Sequence, residues 1–161
     1  MTHLSCTLRP MRPDDVPHLC RLFHDAIREG AATHYDEAQR RAWCPAPPDP
    51  AVWAARLAPQ SVTVAESEGV VAGYMTLRGD GYIDLAFVAP DKAGRGIGTQ
   101  LLRAVEAEAR EGGVALMTVR ASLVARPLFA RAGWHVVREQ VVGRKGVSLT
   151  HFAMEKRLLP R

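Results

Sequence analysis

IDLAFVAPDKAGRGIGTQLLRAVE, residues 83–106, is the stretch whose reading decides the fold. Ile83, Leu85, Ala86, Phe87 and Val88 form an apolar run that stops at Pro90, as a buried strand does. Lys92, Ala93, Gly94, Arg95, Gly96, Ile97 and Gly98 make a short basic loop rich in glycine. Ile97, Leu101, Leu102 and Val105 then recur at helical spacing. A strand, a glycine loop and a helix start together suit a phosphate: glycine lets the backbone come close, and the first helical turn presents unpaired N–H groups at the positive end of the dipole.

Two familiar phosphate loops do not match. No Gly-Lys-Ser or Gly-Lys-Thr follows, which excludes a P-loop, and Thr99 interrupts the spacing of a dinucleotide fingerprint. The loop instead resembles the R/Q-x-x-G-x-G/A motif of the GNAT superfamily of acyl-CoA-dependent N-acetyltransferases, with its glycines on Gly96 and Gly98. Ala93 stands where the motif has Arg or Gln, a position that works largely through its backbone.

Composition sets the outer bounds. A chain of 161 residues suits one domain spanning 1–161, and 47% apolar with 24% charged residues is ordinary for a globular protein. No run approaches the length of a membrane span, and the start, MTHLSCTLRPMRPDD, has no apolar leader region. Cys6, Cys20 and Cys44 show no paired spacing, which fits reduced thiols in the cytoplasm and gives a metal no ligand cluster. The net charge of +4 suits an anionic co-substrate such as coenzyme A, and no arginine stripe interleaved with aromatics marks a nucleic-acid surface.

The remaining elements read in order. His3 to Arg9 is a first strand; a helix starting at Pro13 ends at Gly30; Asp36 caps a short helix, and Asp49–Pro50 starts another through Ala58. SVTVAE and VVAGYMTL form a hairpin about Glu68–Gly69. After the central helix, closed by Gly112–Gly113, come the strand VALMTV, a short helix from Ser122 to Ala132 ended by Gly133, and a strand pair around Arg144–Lys145–Gly146. The order is α/β with a mixed sheet. It is also the GNAT order, which implies a mixed, mostly antiparallel, splayed sheet flanked by helices. The second motif, VRASLVARPLFARAGW, carries Ser122, Ala125, Phe129 and Gly133–Trp134 where the family commonly has Asn or Ser, Ala, Tyr and Gly–Phe.

The resemblance implies acetyl-CoA as co-substrate and a primary amine as acceptor, small or peptidic, with tRNA the one nucleic acid in play; it also allows a homodimer. Backbone groups around Gly94, Arg95, Gly96, Ile97, Gly98 and Thr99 hold the phosphates, with Lys92 and Arg95 as nearby cations. A backbone N–H near Phe87 or Val88, where the strands splay, stabilises the oxyanion. Phe129 packs against the acyl arm where the family's Tyr would donate a proton, so Ser122 or a water would protonate the leaving thiolate in its place. Asp84 is the first candidate for general base, with Glu37, His34 and Asp36 next. His34, Tyr35 and Trp43 wall the acceptor side, while Cys44 reads as a loop thiol. The rival from another class is a non-catalytic acyl-CoA sensor, motivated by Phe129.

Overall fold

In the computed structural model, which describes residues 4–158, the strand expected over 83–88 is broken in two. Its halves, β4 (Tyr82–Ile83) and β5 (Ala86–Val88), belong to different four-stranded sheets. One sheet runs β1 (Thr7–Pro10), β2 (Ser61–Ser67), β3 (Val70–Leu77), β5. The other runs β4, β6 (Leu116–Ser122), β8 (Val147–Arg157), β7 (His135–Arg144). Every pairing is antiparallel except β4 with β6, so the expected mixed, mostly antiparallel, splayed arrangement holds.

The break has a local cause. Arg78 donates its N–H to Tyr82 O at 2.9 Å, and Thr76 donates to Leu85 O at 2.9 Å. Two steps along β3 therefore face three on its neighbour, which is a β-bulge. The N–H groups of Asp84 and Leu85, displaced from the ladder, both donate to the buried Thr76 Oγ1, at 3.2 and 2.9 Å. Beyond the bulge β5 follows β3 and parts from β6.

Helices cover both faces. Successive side chains of β3 point oppositely: Met75 joins a core with Ile97, Leu101, Leu102 and Val105 of α4 (Ile97–Glu111), while Tyr74 joins a second core with α1 (Val16–Asp25) and α3 (Pro50–Leu57). Lys156 Nζ, reaching from β8, binds the buried Glu106 carboxylate at 2.8 Å and Ala132 O at 2.8 Å, pinning α4 to the end of α5 (Arg126–Arg131).

Several boundaries differ from expectation. The first strand starts at Thr7, and His3 lies outside the described residues. The helix from Pro13 begins as a 3₁₀ turn, and after Asp25 it widens into a π turn over Ala26–Gly30. Gly30 is thus not its left-handed cap; Ala31 ends it. Ser122 belongs to β6, and its Oγ accepts the Ala125 N–H at 3.1 Å, so α5 starts later than the sequence suggests. The Asp36 cap of α2 (Glu37–Trp43) forms as expected, accepting the Gln39 N–H at 2.7 Å.

Candidate active site

Where β5 parts from β6, two clefts open and meet. Trp43, Ala86, Phe87, Ser122 and Ala125 line both. Register decides which backbone groups face the junction. Ala89 donates to Ala72 O at 2.8 Å, and Tyr74 sits opposite Phe87 in the antiparallel ladder. Hydrogen-bonded pairs alternate, so Phe87 spends its N–H on β3, while the N–H groups of Ala86 and Val88 turn toward the open side. Of the two positions between which the expected oxyanion donor lay, Val88 turns its N–H to the open side and Phe87 does not; the Ala86 N–H faces the same side, which the apolar run alone could not reveal.

The first cleft, of about 310 Å³, runs from Val88 to the start of α4. Gly94 (φ 75°) and Gly96 (φ 85°) are both left-handed on either side of Arg95, a conformation that a Cβ penalises. Gly96 is also the N-cap, with no side chain to accept the N–H groups of Ile97, Gly98 and Thr99, all three on the cleft wall. These donors fit a diphosphate. Lys92 lines the same wall with its Nζ only 3.3 Å from the exposed Asp91 carboxylate, and Arg131, on the last turn of α5, lines it too. Arg131 was not legible as a site residue, since the strand–loop–helix signal ends well before it. The Arg95 side chain is exposed and off the cleft wall. A Cβ on Gly98 would meet Leu128 Cδ2 at 3.2 Å and Val88 Cγ2 at 3.8 Å, so glycine there keeps the cleft's apolar wall open.

The second cleft, half open to solvent, has a volume of about 280 Å³. Tyr35, Trp43 and Phe87 form its aromatic side. Tyr35 and Trp43 pack edge to face with ring centroids 5.4 Å apart. The Tyr35 hydroxyl donates to Thr150 O at 2.7 Å and accepts from Leu123 N at 2.9 Å, tying the segment before α2 to both β8 and the end of β6. Burial raises its pKa, and its donor is already spent. Tyr74 is not available either: its hydroxyl is sealed in the core and its pKa is pushed up by burial.

The expected bases fare differently. Asp84 lines the cleft, but Arg56 grips it with two hydrogen bonds of 2.8 Å and Gln60 adds one of 2.9 Å. Burial raises its pKa, yet those hydrogen bonds and the Arg56 charge outweigh it and hold the carboxyl below its ordinary value. A carboxylate so committed is a weak base. Glu37 is exposed and ion-paired to Arg41 at 2.9 Å, and His34 is exposed beside Thr33; neither lines a cleft, nor does Asp36. Phe129 is fully buried, stacked edge to face on Trp134 at 4.9 Å, and lines the second cleft rather than the first. Cys44 is buried with its thiol donating to Ala46 O, its pKa raised by burial.

One basic group escaped the sequence reading. His151 of β8 lies directly across from Ser122 of β6 and Gln140 of β7. Its Nε2 is 2.8 Å from Gln140 Oε1, and in the tautomer that donates to that oxygen Nδ1 keeps a lone pair. Burial, reinforced by the Arg120 charge, lowers its pKa below 6.5 and keeps the ring neutral near pH 7. Among the described residues no group of three or more His, Cys, Asp or Glu could hold a metal ion, and no helix is long and apolar enough to cross a membrane.

Comparison with known proteins supplies the wider setting. Residues 31–158 match the acetyltransferase (GNAT) domain family. An uncharacterized N-acetyltransferase of Escherichia coli K12, YafP, is 34% identical over 147 residues, covering 91% of this chain and 93% of the relative. A solved structure from Rhodopseudomonas palustris, described as a GCN5-related N-acetyltransferase (Aminotransferase, Class-II), is 35% identical with a TM-score of 0.90, covering 98% of this chain and 99% of that one. The paia N-acetyltransferase of Thermoplasma acidophilum, solved with coenzyme A, shares the fold at 16% identity and a TM-score of 0.75, over 96% of this chain and 100% of its own.

Proposed function

The chain belongs to the GNAT family of acetyltransferases, and from that premise we propose that it moves the acetyl group of acetyl-CoA to a primary amine by direct attack in a ternary complex. The observation that carries this reading is the meeting of the two clefts at the free edge of β5, where Ala86 and Val88 present unpaired N–H groups.

Acetyl-CoA is a substrate here, and the first cleft is its place. The N–H groups of Ile97, Gly98 and Thr99 receive phosphate oxygens, with Lys92 and Arg131 as counter-charges; Val88 and Leu128 offer an apolar wall to the acyl arm. The thioester oxygen faces the β5 edge, where donors aimed at developing charge lower the barrier. The amine enters from the second cleft. Its nitrogen forms the C–N bond, the C–S bond breaks, and the surplus amine proton passes to His151 Nδ1, directly or through one water. The thiolate departs and takes a proton from water or from the Ser122 hydroxyl, since the Phe129 ring has none to give. With an ordinary thiol pKa of roughly 8.5, departure near neutral pH needs little help.

The test is release of free thiol from acetyl-CoA in the presence of a panel of primary amines. His151→Gln should flatten the acidic limb of kcat/KM, whose inflection lies below pH 6.5, with a rate loss on the order of 10²-fold. If acetyl-CoA binds yet no amine elicits thiol release, the transferase reading fails and the sensor reading, which rests on the missing hydroxyl at Phe129, takes its place.

A further inference from the structure

The second cleft carries an uncompensated positive charge on its rim. Arg56, Arg120, Arg144 and Asp84 are its charged lining residues, and the Arg56–Asp84 pair at 2.8 Å cancels itself. Among the described residues neither Arg120 nor Arg144 has a carboxylate within ion-pair distance. Glu155, two residues along β8 from the partner of Arg120, leans instead to His135 at 3.4 Å. His151 adds no charge near pH 7, because burial and Arg120 disfavour its protonated form.

Register puts these groups on one face. Ser122 and Gln140 both sit opposite His151, Arg120 sits two residues before Ser122 on β6, and Arg144 sits four after Gln140 on β7. Steps of two keep a side of the sheet, so both arginines lie on the cleft side; Arg120, level with Ala153, is one such step from His151, whereas Arg144, level with Val147, is two steps away in the opposite direction. An unpaired guanidinium offers a planar fork of donors that suits a carboxylate.

We propose that the acceptor is a small amine that also bears a carboxylate, an α-amino acid with an apolar side chain, its anionic group held by Arg120 beside His151. The proposal rests on the acyl-transfer reading above and specifies its substrate class. The aromatic side of the cleft, Tyr35, Trp43 and Phe87, suits the apolar side chain, and a cleft of about 280 Å³ is on the scale of one amino acid.

Three probes differ only in the anionic group: L-leucine, L-leucinamide and isoamylamine. Leucinamide has a less basic amine than leucine, so more of it is neutral at pH 8 and intrinsic reactivity favours the amide. The enzyme should nonetheless show the largest kcat/KM with leucine. Arg120→Gln should lower the leucine-to-isoamylamine selectivity roughly tenfold through KM, a modest figure because this arginine is exposed. Arg144→Gln should change that selectivity by less than about twofold, and Arg120→Lys should recover part of the loss. Preference for leucinamide or isoamylamine, preference for a leucyl peptide over free leucine, or unchanged selectivity in Arg120→Gln overturns the proposal. Should no amine be acetylated at all, the transfer reading fails separately. Leucine against isoamylamine binding to the CoA-loaded enzyme, followed by calorimetry in wild type and Arg120→Gln, then decides the anion site alone: equal affinities overturn it, and a leucine preference lost in Arg120→Gln supports it.

Discussion

Thr76→Val isolates the device that opens the site. Valine keeps the shape of threonine but removes the oxygen to which the N–H groups of Asp84 and Leu85 donate, at 3.2 and 2.9 Å. Leu85 N is buried and cannot turn to water, whereas Asp84 N is only partly buried. A buried donor left without a partner costs about 1–3 kcal/mol, and the second, wetter hydrogen bond adds about 0.5 kcal/mol, for a total of about 1.5–3.5 kcal/mol. In a chain of this size that lowers Tm by about 5–10 °C. Thr76→Ser is the control: it keeps the oxygen and loses one packed methyl, a cost of about 1 kcal/mol. Urea unfolding followed by tryptophan fluorescence measures all three proteins. The bulge also sets where Ala86 and Val88 point, so kcat for acetyl transfer should fall tenfold or more in the valine variant under conditions where it is still folded. A valine variant within about 0.5 kcal/mol of wild type, or a serine variant less stable than the valine one, would refute the reasoning.

Other expectations follow from named contacts. Asp84→Asn should leave the pH profile of transfer intact and cost about 1 kcal/mol at pH 7, a figure discounted because Arg56 is 42% exposed. Because the folded-state pKa of Asp84 is depressed, its contribution is full above its ordinary value of 3.8 and disappears as the pH drops through the lower folded value, so the two proteins should converge in acid unfolding. A rate loss of 10²-fold with a vanished acidic limb would instead make Asp84 the base. Tyr35→Phe strands the Leu123 N–H and the Thr150 carbonyl and should cost about 2–3 kcal/mol in urea unfolding, and a neutral substitution would mean water replaces the hydroxyl. Gly98→Val forces Leu128 and Val88 aside and should weaken acetyl-CoA at least tenfold by calorimetry while the fold persists; unaltered affinity would separate Gly98 from the cleft.

The sequence alone determined what depends on neighbours along the chain. Gly94 and Gly96 announce left-handed backbone, the spacing of Ile97, Leu101, Leu102 and Val105 announces α4, and Asp36 announces a cap. Such features follow from the allowed dihedrals of one residue or the period of one helix, and so the glycine loop, the helix it starts and the family were legible before any fold. Tertiary structure decided the acceptor side. That residues 83–88 make two strands depends on the Thr76 hydroxyl of another strand, and the fate of Asp84 depends on Arg56, 28 residues away. Glu37 and His34 fall on the outside of a segment whose orientation is fixed by the Tyr35 hydroxyl bonding Thr150, 115 residues on. His151, Arg120 and Arg144 share a face only because β6, β8 and β7 pair in one register, and a slip of one residue would turn all of one strand's side chains to the other side. Register between distant strands is set by the packing of the whole core, and no local pattern in the chain encodes it.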